Sequence, residues 1–180
     1  MGKRSDFERI PRDFYPTPFS AVEPLIPHLG EWYTFIEPCA GDGRLIEHLE
    51  KHGGKCTHAY DIEPKHWRVE KHDALKLDEL DPSFTFGNAK YIITNPPWDR
   101  KILHPMIEKF SDMAPTWLLF DADWMHTKQS TQYLTRLKKV VSIGRVKWIE
   151  GSSSVGKDNC CWYLFHNTPQ VKPIEFWGRT

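Results

Sequence analysis

The four residues Asn95-Pro96-Pro97-Trp98 close an apolar run, Tyr91-Ile92-Ile93-Thr94, and bring a polar amide, two stiff prolines and a large aromatic face to one point. That set suits the gripping of a planar amino group and stacking on the ring that carries it. Asn95 offers a side-chain carbonyl, and the main-chain carbonyl of Pro96 follows one residue on. Proline fixes φ and lacks an N–H, so the turn is rigid and its carbonyls are free to accept. Asn-Pro is also a common turn opener, so the tetrad taken alone is equally a strand-ending turn.

A second constellation lies upstream in Glu37-Pro38-Cys39-Ala40-Gly41-Asp42-Gly43. Tyr33, Phe35 and Ile36 lead into it, and Arg44-Leu45-Ile46-Glu47-His48-Leu49 reads as a helix after it. Glycines in such a strand–turn–helix unit let backbone approach a ligand closely. The pattern departs from the dinucleotide fingerprint, because Ile46 stands where its third glycine belongs. Glu37 and Asp42 would repel a pyrophosphate but suit a cationic ligand that bears an amine. Asp61 follows eighteen residues after Gly43, at the end of a second expected strand, where nucleotide-binding α/β folds hold ribose hydroxyls. Asp73 ends a third.

In this order the motifs resemble the S-adenosylmethionine-dependent amino-methyltransferases, in particular the N6-adenine DNA methyltransferases of phage and bacteria. Phe14-Tyr15-Pro16-Thr17-Pro18 looks like the N-terminal motif that helps to hold the methionine end of the cofactor, which implicates Tyr15, Thr17 and Pro18. Glu37, Pro38, Cys39, Ala40, Gly41 and Gly43 match the glycine motif. Asp61 matches the ribose-binding acid and Ile62 an adenine-packing residue, while Asp73 and Ala74 fall where the cofactor's adenine amine is met. Asn95, Pro96, Pro97 and Trp98 match the catalytic motif, and Asn95 also borders the cofactor. The resemblance spans residues 12 to 166 and implies a Rossmann-like class I methyltransferase fold, mostly parallel and doubly wound, with an antiparallel C-terminal hairpin. It further implies S-adenosyl-L-methionine as cofactor, S-adenosyl-L-homocysteine as product, and transfer of a methyl group to adenine N6 in DNA, the base being flipped or single-stranded. The same motif serves RNA adenine, DNA cytosine N4 and protein glutamine methylators, and a non-catalytic nucleic-acid-binding module of this fold is a further alternative.

The elements that must position these groups follow from periodicity and turn chemistry. A helix is expected from Thr17, as N-cap, through His28. Strands are expected at 33–37, 57–61, 69–72, 91–94 and 117–120, with helices at 101–113 and 127–138. Val140 to Ile149 and Cys160 to Phe165 form the expected hairpin, adding an antiparallel edge strand. Its loop, Glu150 to Asn159, is the least regular segment, and in the resembling enzymes it and Trp148 border the target base. Asp121, Asp123 and Trp124, at a strand end, are further candidates for the pocket wall.

With 180 residues, 39% hydrophobic and 27% charged, one soluble domain with a real core is expected. No apolar run reaches membrane-spanning length and the N-terminus lacks a signal-peptide core, which points to the cytoplasm and no membrane partner. The four cysteines show no metal spacing, so no metal is expected. Formal net charge is zero, yet Met125 to Ile149 holds six basic residues and no acid, and residues 1–13 form a basic arm. Lys128, Arg145, Lys147 and Lys157 are the candidate phosphate contacts of a nucleic-acid partner. Fourteen residues follow His166 and no long insertion separates the motifs, so no separate target-recognition domain is expected. Sequence readout would then come from loops, from a homodimer or partner subunit, or be weak.

Overall fold

The computed structural model describes residues 14–79, 89–149 and 155–179. The basic arm over residues 1–13 and the Glu150–Ser154 part of the loop lie outside them. Eight strands form one sheet: β1 (Tyr33–Glu37), β2 (Gly54–Asp61), β3 (Glu70–Lys71), β4 (Tyr91–Thr94), β5 (Thr116–Asp121), β6 (Leu137–Arg145), β7 (Asn159–Phe165) and β8 (Glu175–Trp177). Their order is β3-β2-β1-β4-β5-β7-β6-β8. The pairs among the first five strands are parallel, β7 is antiparallel to both β5 and β6, and β8 is parallel to β6.

Helices cover both faces, which is why the central strands are apolar throughout rather than alternating. In β5 the side chains of Trp117 and Leu119 join one buried cluster, with Leu25, Trp162 and Leu45 of helix α2 (Arg44–Glu50). Leu118 and Phe120 join the other, with Leu103, Ile107 and Phe110 of helix α3 (Arg100–Met113). Asp99 caps α3 by accepting from the Lys101 amide. On the opposite face, the indole of Trp162 donates to the Ala21 carbonyl at 2.7 Å and ties the sheet to the N-terminal helix.

Four expectations are corrected. The helix expected over 17–28 is α-helical only as α1 (Phe19–Val22), then turns 3-10 over Glu23–His28, because Pro24 and Pro27 supply no backbone donors. Its N-cap is Pro18, and the Thr17 hydroxyl is used elsewhere. Residues Lys128–Arg136, polar and threonine-rich, form 3-10 turns held by Ser130 bonds to the Met125 and Thr127 carbonyls. Strand β6 starts at Leu137 and stops at Arg145, just past Gly144, whose positive φ of 73° accompanies a register shift. Antiparallel β7 is internal, and the edge is β8, three residues that no periodicity can announce.

Substituting Trp162→Phe keeps an aromatic ring in the core but strips the Ala21 carbonyl of its donor. We expect a loss of about 1–3 kcal/mol in a urea unfolding series; an unchanged midpoint would show that this bond does not anchor the N-terminal helix.

Candidate active site

Because β1, β2, β4 and β5 run the same way, their carboxyl ends share one edge of the sheet, and a cavity of about 840 Å³ opens there. The turn after β1 enters it with Gly41 at φ 51° and Gly43 at φ 78°. A Cβ on Gly41 would stand 2.8 Å from the Phe14 ring, so only glycine lets the N-terminal segment close over this turn. The Gly41 amide donates to Asp61 Oδ2 at 2.8 Å and the Glu63 amide to Asp61 Oδ1 at 2.7 Å, which fixes that carboxylate at the end of β2. Asp73 accepts from the Leu75 amide at 3.0 Å through Oδ1. Lys65 closes the same side, its amide on the Gly41 carbonyl at 2.9 Å and its ammonium 3.5 Å from the Phe14 ring centroid.

Glu37, the last residue of β1, is wholly buried. Its Oε1 accepts from the Cys39 amide at 3.1 Å, whereas Oε2 is buried with no hydrogen-bond partner among the described residues. Burial pushes this carboxyl up to about 8. The nearby Thr94 hydroxyl and the Cys39 amide pull the other way, and Asp61 raises it further. The Thr94 hydroxyl favours the charge, although neither it nor Glu37 Oε2 has a hydrogen-bond partner among the described residues. Burial also holds the Cys39 thiol well above its usual range, with the Glu37 carboxylate adding to the shift, so Cys39 packs as a neutral thiol.

Asn95 follows β4. Its Nδ2 donates to the Tyr15 carbonyl at 3.3 Å and to Thr17 Oγ1 at 3.2 Å, and its Oδ1 has no partner among the described residues. Tyr15, Thr17, Glu37, Pro38, Cys39, Ala40, Gly41, Asp61, Ile62, Asp73, Ala74, Asn95 and Pro97 all line the cavity. Pro18, Gly43, Pro96 and Trp98 do not. Pro18 caps α1, Gly43 shapes the turn, and Pro96 is buried. Trp98 donates to the Leu119 carbonyl at 3.2 Å, with its ring 5.9 Å from that of Trp148 in an edge-on contact of 81°. Trp148 in turn lies 6.2 Å from Tyr15. Sequence reasoning missed the apolar walls Leu75, Ile102 and Met106.

No protein-family model matches the chain, and no curated protein matches it in sequence. Solved structures match it in fold. A Listeria monocytogenes protein assigned as a class I S-adenosylmethionine-dependent methyltransferase superposes with a TM-score of 0.56 at 9% identity, over 97% of this chain and 68% of its own. The 23S rRNA methyltransferase ErmE gives 0.54 at 11% identity, over 86% and 70%. A type I restriction-modification methyltransferase subunit from Streptococcus thermophilus gives 0.51 at 10% identity, over 86% of this chain but only 44% of that one. The fold is that of the class I methyltransferases.

On this methyltransferase fold the basic residues divide by task. Arg136 pairs with Asp112 and Ser111, Lys138 with the Thr168 carbonyl and Gln170, and Lys139 with Glu175, so these three brace the sheet. Arg145 and Lys147 are exposed where β6 ends, on the same edge as the cavity, and Lys157 is exposed on the returning loop. Lys128 sits apart, in a shallow depression beside His104. Asp121 is engaged by Arg100 at 2.6 Å, Asp123 is exposed, and Trp124 is core, its indole on His104 at 3.0 Å, so Trp124 is no pocket wall. No helix among the described residues is long and apolar enough to cross a membrane.

The unfolded chain releases the Glu37 proton near 4.5, whereas the folded protein holds it to about 8. Between those values the unfolded state binds fewer protons, so the stability of the ligand-free protein falls as pH rises. We expect Glu37→Gln to flatten this slope in urea midpoints measured across that window; an unaltered slope would assign the titration to another group.

Proposed function

We propose that the protein transfers a methyl group from S-adenosyl-L-methionine to the exocyclic N6 amine of adenine in DNA, acting as a single catalytic domain. The observation that carries this reading is the state of Asn95, which lines the cavity with its Nδ2 consumed by the N-terminal segment and its Oδ1 without a partner among the described residues. The cavity fits the cofactor. Glu37 Oε2, buried and without a hydrogen-bond partner among the described residues, would receive an α-ammonium group, whose positive charge makes ionisation of this carboxyl favourable. Asp61, already fixed by two amides, keeps lone pairs for ribose hydroxyls. Ile62, Leu75, Ile102 and Met106 offer apolar surface for a purine, with Asp73 near its amine. Bound there, the cofactor supplies a methyl group on a positively charged sulfur.

The chain's own residues make the amine ready to receive it. An exocyclic amine is a poor nucleophile because its lone pair is delocalised into the ring. Asn95 Oδ1 and the Pro96 carbonyl would accept its two hydrogens, favour a pyramidal nitrogen and stabilise the charge that develops as the N–C bond forms. The methylated nitrogen is then acidic enough to release its proton to water, so Asn95 need not act as a base. Tyr15, Trp98 and Trp148 supply aromatic surface for an extruded base, worth about 1–3 kcal/mol per stacked ring. Arg145, Lys147 and Lys157 would meet phosphates there, and Lys128, further off, would extend the track. The product of the reaction is S-adenosyl-L-homocysteine. Sequence readout is assigned to the loops at this edge, to a second copy of the chain or to a partner subunit.

The chemistry at Asn95 would serve RNA adenine, cytosine N4 or a glutamine amide equally, but the cations beside Trp148 favour nucleic acid. The test is incubation with methyl-labelled cofactor and, separately, duplex DNA, single-stranded DNA and RNA, followed by digestion to nucleosides and mass spectrometry. N6-methyladenine from DNA is expected. Label in RNA alone would move the substrate, and no label with no cofactor binding would leave a non-catalytic module. Asn95→Ala should abolish transfer and leave cofactor affinity nearly unchanged by calorimetry; equal loss of both would contradict its role.

A further inference from the structure

We infer that Thr17 is a positioning residue for Asn95, setting which face of the amide meets the substrate. The inference rests on the methyl-transfer reading but concerns a different residue and a different step.

An Asn side chain can be turned over so that oxygen and nitrogen exchange places, and only one orientation presents an acceptor to an incoming amine. Here two groups select between them. The Tyr15 carbonyl can only accept, so it attracts Nδ2 at 3.3 Å and would repel Oδ1. The Thr17 hydroxyl takes the second Nδ2 hydrogen at 3.2 Å, and the residue is nearly fully buried, at 5% exposure. With both hydrogens engaged, the amide plane as well as its sense is fixed. A Tyr15 bond alone would leave the plane free to swing about the Cβ–Cγ bond.

The segment that carries this pair is itself anchored. The Phe14 ring lies against Gly41 and under the Lys65 ammonium. Pro18, with the extended backbone usual at that position (ψ 155°), is the N-cap of α1, so Thr17 lies one residue before the cap. A threonine at the head of a helix would ordinarily accept from the helix's own amides. This one accepts from a residue 78 positions away instead.

Thr17→Val keeps the shape and removes the acceptor, whereas Thr17→Ser keeps the acceptor. In steady-state methylation, with cofactor affinity measured separately by calorimetry, we expect Thr17→Val to lower kcat roughly three- to tenfold, the scale of one hydrogen bond, with KM and cofactor Kd nearly unmoved. Thr17→Ser should recover most of that loss. Equal losses in both variants, or a loss confined to cofactor affinity, would overturn the inference and leave Thr17 as packing or as a cofactor contact. In parallel, nitrogen-15 spectra of the cofactor-free protein should show the two Asn95 Nδ2 protons as distinct and slow to exchange, and Thr17→Val should speed the exchange of one. Unchanged exchange would refute the positioning role even if the wild-type protein methylates nothing, a result that would instead sink the catalytic reading.

Discussion

Parallel pairing is the constraint on which the site depends. Once β1, β2, β4 and β5 run in the same direction, the chain must leave the sheet at the same edge four times, and each exit places backbone that no strand partner satisfies. Polar side chains take up that slack. Asp61 accepts from the Gly41 and Glu63 amides, Glu37 from that of Cys39, and Asp73 from that of Leu75. The carboxylates that could meet a ligand are therefore also the groups that close the loops. The insertion of antiparallel β7 between β5 and β6 extends the arrangement, because β6 then runs parallel to β5 and ends at the cavity edge. Trp148 reaches Trp98 by that route.

Glu37 is where this economy is most strained. One of its oxygens accepts from the Cys39 amide, and the other is buried with no hydrogen-bond partner among the described residues. A buried carboxylate is costly unless it is paired, so the free protein keeps it protonated well above the usual range. Neutral, the group is tolerable; charged, it would be a strong attractor for a cation. A site built this way gains more from binding an ammonium group than an exposed carboxylate would, because an exposed one must first shed water. A ligand bearing such a cation, once bound there, would return the stability that the free protein forgoes.

What could be read in the sequence was what sits at strand ends. Residues 33–37 and 91–94 are strands with the bounds that their apolar runs suggest, and the Gly turn, Asp61, Asp73 and Asn95 meet in one cavity. The walls were not legible. Ile102 and Met106 recur at helical spacing, and a stripe of that kind looks the same whether it faces a core or a ligand. Pro24 and Pro27, after α1, interrupt the helix that the Thr17-Pro18 start signal suggests. Charge was the least informative signal: of the six cations between Met125 and Ile149, Arg136 is bonded to the end of α3, Lys138 to the segment after β7 and Lys139 to β8. Only three-dimensional placement separates those from Arg145 and Lys147.

The amide at position 95 illustrates why the two kinds of reading converge. The methyl transfer proposed above would ask for an acceptor that is neutral, since a base is not needed to deprotonate the amine before it attacks. The fold makes a separate demand, because the Tyr15 carbonyl is an obligate acceptor and requires a donor opposite it. Aspartate meets neither requirement at this position when ionised: its two oxygens would face the Tyr15 carbonyl without a proton to share. Glutamine has the right ends but one more rotatable bond, and would lose the fixed reach from a strand terminus. Asparagine is the short side chain that donates on one side and accepts on the other, so the packing of the N-terminal segment and the treatment of an amine substrate select the same residue.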